Sequence, residues 1–235
     1  MSSPPTESVA VTGASGEIGG RVARLLAGSG AAPRCVVRDR RRAPELDGVD
    51  VAVADYGDGP AMRSALEGVV TLFLVSATES PDRVALHTSA VDAALAAGVE
   101  HIVYLSFLAA APDATFTFGR DHWHTEAHVR ASGLAFTFLR DSQYLDYLPL
   151  LVGPGGVIRG PAGDGALAPV ARDDVARSAA AVLAAASTHA GRTYDLTGPR
   201  LVTMSDVARA LSEAVGRRIT YEAETLEEAY ESRSG

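Results

Sequence analysis

The sequence predicts an α/β fold: a doubly wound parallel-sheet Rossmann domain with a small C-terminal substrate-binding region. Three observations carry this reading. Val9–Gly20 reads VAVTGASGEIGG, a short apolar run followed by a glycine-rich turn. Short β-branched runs then alternate with helical patterns as far as Leu139. One of those runs, Val69–Val75, is almost wholly apolar, as expected of a parallel strand covered on both faces.

Val9–Thr12 is the first expected strand, and the apolar spacing over Arg21–Leu26 predicts the helix after it. In such a unit Gly13 permits the tight turn and Gly16 lets the backbone approach a diphosphate. Gly19 lets the helix pack closely, and the helix amides face the anion. Arg34–Val37 and Val49–Ala54 predict the second and third strands, and Ala61–Leu66 a short helix. After the fourth strand, Pro81-Asp82 starts a helix that Gly98 stops. His101–Ser106 is a fifth strand, Thr117–Ser132 a helix ended by Gly133, and Ala135–Leu139 a sixth strand. This order implies right-handed crossovers in a mostly parallel sheet.

Beyond Tyr144 the pattern loosens. Gly153–Gly165 predicts a loop with a short strand at Val157-Ile158. Asp173–Ala186 is an expected helix and Arg192–Leu196 a strand. Ser205–Val215 is a helix stopped by Gly216, Ile219–Glu222 a strand, and Thr225–Tyr230 begins another helix. The expected division is a flexible tail over 1–7, a dinucleotide-binding core over 8–145, and a cap over 146–235. The cap is interleaved with the core and placed beside the C-terminal edge of the sheet.

The chain has 235 residues, 47% of them apolar, and a formal net charge of −8. That charge argues against nucleic acid as the main partner. No apolar run is long enough to span a bilayer, and the polar Met1–Ser8 segment does not read as a secretory signal. Cys35 is the only cysteine, which excludes an intrachain disulfide or a cysteine-based zinc site and suits the cytoplasm. All 21 basic residues are arginine, so no lysine can serve as base, Schiff-base former or cofactor anchor. His124 and His128 stand one helical turn apart, with Glu126 between them in sequence and His122 nearby. No remote ligand set accompanies them, so no metal is expected.

The second strand ends in Arg38-Asp39, where dinucleotide folds meet the adenosine ribose. An acidic residue there favours NAD, and an arginine favours the 2′-phosphate of NADP. Arg38, followed by Arg40, Arg41 and Arg42, favours NADP(H); Asp39 dissents. Asp55 and Tyr56 could bracket the adenine, and a capping role for the aspartate is equally open. Ser76-Ala77 and Ser106 end the fourth and fifth strands, at the edge where such sheets bind ligands.

Several stretches together resemble one family: TGASGEIGG, VVRD, ADYGD, LFLVSA, YLSF, HWHTEAHVRASGLAFTFLRDSQY and GRTYDLTG. They resemble the NmrA-like branch of the atypical short-chain dehydrogenases/reductases, most of all its bacterial NAD(P)H:quinone oxidoreductase and triphenylmethane-dye reductase group. The similarity runs from Val9 to Tyr230. It implies NADP(H), with phosphate contacts at Gly13, Ser15, Gly16, Glu17 and Ile18, beside the close-packed Gly19. It implies 2′-phosphate contacts at Arg38 and Arg42, adenine contacts near Asp55 and Tyr56, and ribose or nicotinamide contacts near Ser76, Ala77 and Ser106. Related plant reductases carry a lysine at about the position of His122, which makes His122 a candidate proton donor; a packing histidine is the equal alternative. Tyr144 could line the same pocket or simply pack. Members of the group continue through further helices that help close the substrate site. A chain ending at Gly235 would have a more open pocket, or one completed by a second subunit, and a homodimer stays open.

Without lysine there is no Tyr-x-x-x-Lys pair, which removes the ordinary alcohol dehydrogenase and sugar epimerase mechanisms. Hydride transfer to a small, already electrophilic acceptor such as a quinone remains. The alternative is a non-catalytic NADP(H)-sensing regulator that binds a protein partner.

Overall fold

The computed structural model describes Ser8–Ser232; the expected tail over 1–7 lies outside the described residues, as does Gly235. In chain order the elements are β1 (Val9–Thr12), α1 (Glu17–Gly28), β2 (Arg34–Val37), β3 (Asp50–Val53), α2 (Gly59–Ala65) and β4 (Thr71–Leu74). Next come α3 (Arg83–Ala97), β5 (His101–Phe107), α4 (Thr117–Ala131) and β6 (Ala135–Asp141). Then follow β7 (Val157–Gly160), β8 (Ala166–Leu167), α5 (Arg172–Leu183), β9 (Arg192–Leu196) and β10 (Val202–Thr203). The last are α6 (Met204–Val215), β11 (Thr220–Ala223) and α7 (Leu226–Glu231). No helix among the described residues is long and apolar enough to cross a membrane.

Two compact units result. The first holds the chain up to Asp141 together with Asp173–Leu196. The chain therefore leaves this unit before the expected boundary at 145 and returns to it for α5 and β9. Its seven strands form one sheet in the order β3-β2-β1-β4-β5-β6-β9, all pairs parallel. The strand order reverses between β1 and β4, which is where a doubly wound sheet opens a ligand crevice beyond its C-terminal edge. Two strands are buried on both faces: Val9–Thr12 and Thr71–Leu74 have no exposed residue, and each is apolar apart from one buried threonine. Cys35 on β2 is fully buried, and burial, with a smaller contribution from Asp50, pushes its thiol up to about 11.

The helices show why they stay in place. In α1, Ile18, Val22, Ala23 and Leu26 are buried, the i, i+4, i+8 stripe of a helix covering a sheet. Gly98 ends α3 in the left-handed conformation (φ +85°), as a helix stop requires. In α4 the buried positions are Gly119, His122, Thr125, Glu126 and Val129. Their spacing is that of one helix face, but three of the five are polar.

The second unit comprises Ser142–Arg172 and the chain from Thr197 onward. β7 pairs parallel with β11, and the two-residue strands β8 and β10 pair antiparallel. Leu148, Ile158, Val207, Ala208 and Ile219 form its core. Thr203 and Asp206 make a reciprocal capping box that starts α6, and Thr225 with Glu228 does the same for α7.

Candidate functional site

The glycine turn between β1 and α1 is built by close approach. Gly13 has φ +58°, and Gly16 N–H donates to its carbonyl at 2.9 Å. A Cβ on Gly19 would stand 2.4 Å from the Gly13 oxygen, so only glycine lets the helix start here. Gly16 caps α1 without any side-chain bond, which leaves no hydroxyl or carboxylate of the cap on the first-turn amides. Ser15, Gly16 and Glu17 are exposed, whereas Ile18 is buried and offers a ligand only its backbone. The Glu17 carboxylate is ion-paired with Arg21, whose Nε also reaches Asp173 at 2.7 Å. Its charge is thus offset beside an anion-binding helix end.

At the end of β2, Asp39 is occupied. It accepts bonds from the Arg41 backbone (3.0 Å) and from Arg41 Nε and Nη2 (3.1 and 2.9 Å), and caps the short 3₁₀ turn Arg40–Arg42. Arg40 donates to the Val51 carbonyl at 2.6 Å. Arg38 and Arg42 are exposed, and neither side chain has a hydrogen-bond or ion-pair partner among the described residues. The carboxylate that dissented from a 2′-phosphate is ion-paired with Arg41, and the Arg42 charge also favours its ionised form.

Tyr56, expected beside the adenine, is half-buried and ties two strands together. Its hydroxyl lies 2.6 Å from both Thr12 Oγ1 and the Val75 carbonyl, and its ring packs on the main core. Burial pushes its phenol far above the ordinary range, so it remains neutral. Thr12 Oγ1 also receives Val75 N–H at 3.0 Å and donates to the Phe73 carbonyl at 3.1 Å. This knot ties the ends of β1 and β4 together directly beneath the glycine turn. A Cβ on Gly13 would touch Val75 Cβ at 3.3 Å. Asp55 accepts from Gly57 N–H at 2.9 Å, while the helix-capping carboxylate is Asp58, which receives Ala61 N–H at 3.0 Å. Ser76 is half-buried, and its side chain makes no hydrogen bond among the described residues.

Below this edge lies a buried polar network that the sequence did not announce. Ala77 N–H donates to His87 Nε2 at 2.8 Å, and the Ala77 carbonyl accepts from Arg83 Nε at 2.9 Å. His87 Nδ1 meets Thr125 Oγ1 at 2.8 Å, and Thr125 donates to the Asp121 carbonyl. Arg83 Nη2 meets His122 Nε2 at 2.9 Å, and His122 Nδ1 meets the Tyr104 hydroxyl at 2.9 Å. Both histidines accept from groups that can only donate, which assigns each as the neutral Nδ1–H tautomer. Burial, reinforced by Arg83, pushes His87 down to about 3 and holds His122 well below its usual value.

Two of the candidate site residues belong to this network. His122 is only 4% exposed, with both ring nitrogens engaged, so it is no imidazolium acid at neutral pH. Ser106 is fully buried and donates to Glu126 Oε1 at 2.6 Å, which removes its hydroxyl from a ribose or nicotinamide. Glu126 in turn binds Arg140 through Nε and Nη2 (2.8 and 2.7 Å) and Arg130 at 3.1 Å. His128 pairs with Asp92 at 2.7 Å, away from the network. Arg83, His87 and Thr125 are the residues that sequence reasoning missed. Their signal was present as Arg83 and His87 one turn apart, and as the 122, 125, 126 spacing on α4.

Tyr144 belongs to the second unit, where Arg172 lies over its ring at 5.0 Å. The same unit holds a cavity of about 710 Å³, lined by Leu145, Leu148, Pro169, Leu201 and Val207 among others.

The chain matches the NmrA-like family over residues 5–232. It is 36% identical over 222 residues to quinone oxidoreductase 2 of Escherichia coli, covering 91% of this chain and 77% of that one. It is 33% identical over 232 residues to an NAD(P)H azoreductase of Xenophilus azovorans, covering 97% and 80%. The Citrobacter sp. triphenylmethane reductase, solved with NADP(H), superposes with a TM-score of 0.85 at 30% identity, over 97% of this chain and 84% of that chain. With a parallel sheet that reverses at β1 and β4, a glycine turn at that point and a match along nearly its whole length, the chain belongs to the NmrA-like family.

Proposed function

We propose that this protein is an NADPH-dependent reductase that delivers hydride to a quinone or a similarly activated electrophilic acceptor. The observation that carries the cofactor choice is the state of the β2 end: Asp39 is bonded to Arg41, while Arg38 and Arg42 are exposed and have no hydrogen-bond or ion-pair partner among the described residues. The glycine cradle fits a dinucleotide diphosphate, since Gly16 and Gly19 stand where a Cβ would crowd the Gly13 carbonyl. The quinone, azo-dye and triphenylmethane-dye chemistry in the names of the relatives supports the acceptor class.

The reduced nicotinamide supplies the hydride when bound. Backbone amides at Glu17 and Ile18 would hold the diphosphate, with Gly13 and Gly16 giving it close approach to the backbone, and Arg38 and Arg42 would hold the 2′-phosphate through charge-assisted bonds. Ser15 would flank the diphosphate, Asp55 the adenine, and Ser76 and Ala77 the nicotinamide half. No lysine is present to donate a proton, and His122 is held neutral and enclosed. A hydroquinone oxyanion is a weak base that water protonates, so the chain's contribution is positioning and exclusion of misaligned encounters.

The test is steady-state NADPH oxidation with a benzoquinone, an azo dye, a triphenylmethane dye and an enone, against a simple ketone as control. Turnover is expected with the activated acceptors alone. A protein that binds NADPH and NADP⁺ with different affinity, yet oxidises NADPH with none of them, is a nucleotide sensor instead.

A further inference from the structure

The Ala77 peptide is gripped at both ends by two side chains of one helix. Arg83 and His87 are four residues apart on α3 and so share a face. One takes the carbonyl at 2.9 Å and the other takes the N–H at 2.8 Å. Both are interior groups: His87 is fully buried and Arg83 is 5% exposed. A second layer holds them in turn, His122 and Thr125 from α4 and Tyr104 from β5.

This arrangement is poor as a device for stability. Arg83 Nη1 is buried without a hydrogen bond, and its charge is met only by a long ion pair to Asp121 Oδ2 at 3.7 Å and by the Phe118 ring. A desolvated guanidinium with an unsatisfied donor is costly, and an apolar side chain of similar volume would often serve the core as well. What the arrangement does achieve is a fixed orientation of one peptide. That peptide follows β4, on the opposite side of β1 from β2. A dinucleotide crossing at β1 with its adenosine at the end of β2 must extend its other half over β4. Next to the gripped peptide is Ser76, with its side chain unengaged.

We infer that Arg83 and His87 are positioning residues, which set the Ser76–Ala77 backbone for the nicotinamide half of the cofactor. The inference rests on the NADP(H) reading above. Neither side chain touches the cofactor; each acts through the Ala77 peptide. With the loop ordered beforehand, binding does not have to immobilise it, and the ring that must face the acceptor is held in one pose.

The experiment compares binding of NADPH with that of 2′,5′-ADP, which carries only the adenosine half, by isothermal titration calorimetry. His87→Leu removes the acceptor and Arg83→Met removes the donors at near-constant length. His87→Gln keeps a side-chain acceptor for Ala77 N–H. Both disabling variants should weaken NADPH about tenfold or more while changing 2′,5′-ADP by less than about twofold. His87→Gln should recover most of the NADPH affinity, and kcat should fall in the disabling variants more than the acceptor KM rises. Unchanged NADPH affinity in either folded variant, equal loss of both ligands, or no rescue by glutamine overturns the inference. Because Arg83→Met fills its site with an apolar chain, it carries the test if His87→Leu does not fold. Wild-type protein that binds 2′,5′-ADP while the variants leave NADPH unaffected fails this inference alone. Wild-type protein that binds neither ligand overturns the NADP(H) reading and this inference with it.

Discussion

Arg83 Nη2 and His122 Nε2 lie 2.9 Å apart, and that contact decides which nitrogen of His122 carries its proton. An arginine cannot accept, so Nε2 must be bare and Nδ1 protonated towards Tyr104. The ring nitrogens of His122 should therefore keep neutral-imidazole nitrogen shifts from about pH 8 down to about pH 5, read by ¹⁵N-edited long-range NMR. A His122 that titrates near its ordinary value would refute the assignment and restore a proton-donor role.

The same burial makes stability depend on pH. His87, His122 and His101 all have folded-state values below the usual 6.5. Below pH 6.5 the unfolded chain binds protons at these rings that the folded chain does not, so stability falls as pH falls. For His87 the window extends from 6.5 down to about 3. Within it each histidine removes up to about 1.4 kcal/mol per pH unit. Urea unfolding at about pH 7.5, 6 and 5 reads the slope, and His87→Leu should flatten it. A stability that is level over that range contradicts neutral buried histidines.

Arg38→Ala should weaken NADPH about tenfold or more and leave NADH nearly unchanged, because only the former has a 2′-phosphate for the guanidinium to meet. Fluorescence titration of both nucleotides is enough to decide. Equal losses would show that Arg38 does not read that phosphate.

Two glycines of α1 should respond in opposite directions. Gly19→Ala places a Cβ 2.4 Å from a carbonyl oxygen and should cost about 2 kcal/mol or more, along with nucleotide affinity. Gly28→Ala meets nothing within 4 Å and should stabilise the helix end by up to about 1 kcal/mol. Thermal denaturation of both variants checks the pair, and a tolerated Gly19→Ala would mean that the turn is looser than described.

Glu126 joins three elements, since Ser106 of β5 and Arg140 of β6 are register neighbours that both bind it from α4. Glu126→Leu leaves Arg140 and Arg130 without their carboxylate and should destabilise the fold by about 3 kcal/mol. A loss below about 1 kcal/mol in urea unfolding would place the pair among ordinary surface interactions.

The parallel sheet was legible because its central strands are buried on both faces and leave continuous apolar runs such as Leu72–Leu74. Arg34–Val37 and Arg192–Leu196 were readable to the residue. β8 and β10 were not, since a two-residue strand in a Gly- and Pro-rich stretch has no period to read. The glycine turn was legible through its spacing. The role of Asp39 was not, because only the structure shows Arg41 folding back on it. His122 is a candidate donor through the family resemblance, whereas its helical neighbours Thr125 and Glu126 show only in the structure as one interior face. Arg83 and His87, four residues apart on another helix, leave no apolar signature at all.

Cys35 sits fully enclosed on β2, with its thiol pushed up to about 11. Quinones are soft electrophiles that add to thiolates and to amines, and lysine is absent from this chain. The two side chains most easily arylated are thus one missing and one locked away as the unreactive thiol. If a quinone is the acceptor, the enzyme tolerates repeated exposure to a compound that alkylates proteins. Mass spectrometry after incubation with benzoquinone should show Cys35 unmodified in the folded protein and modified once urea exposes it.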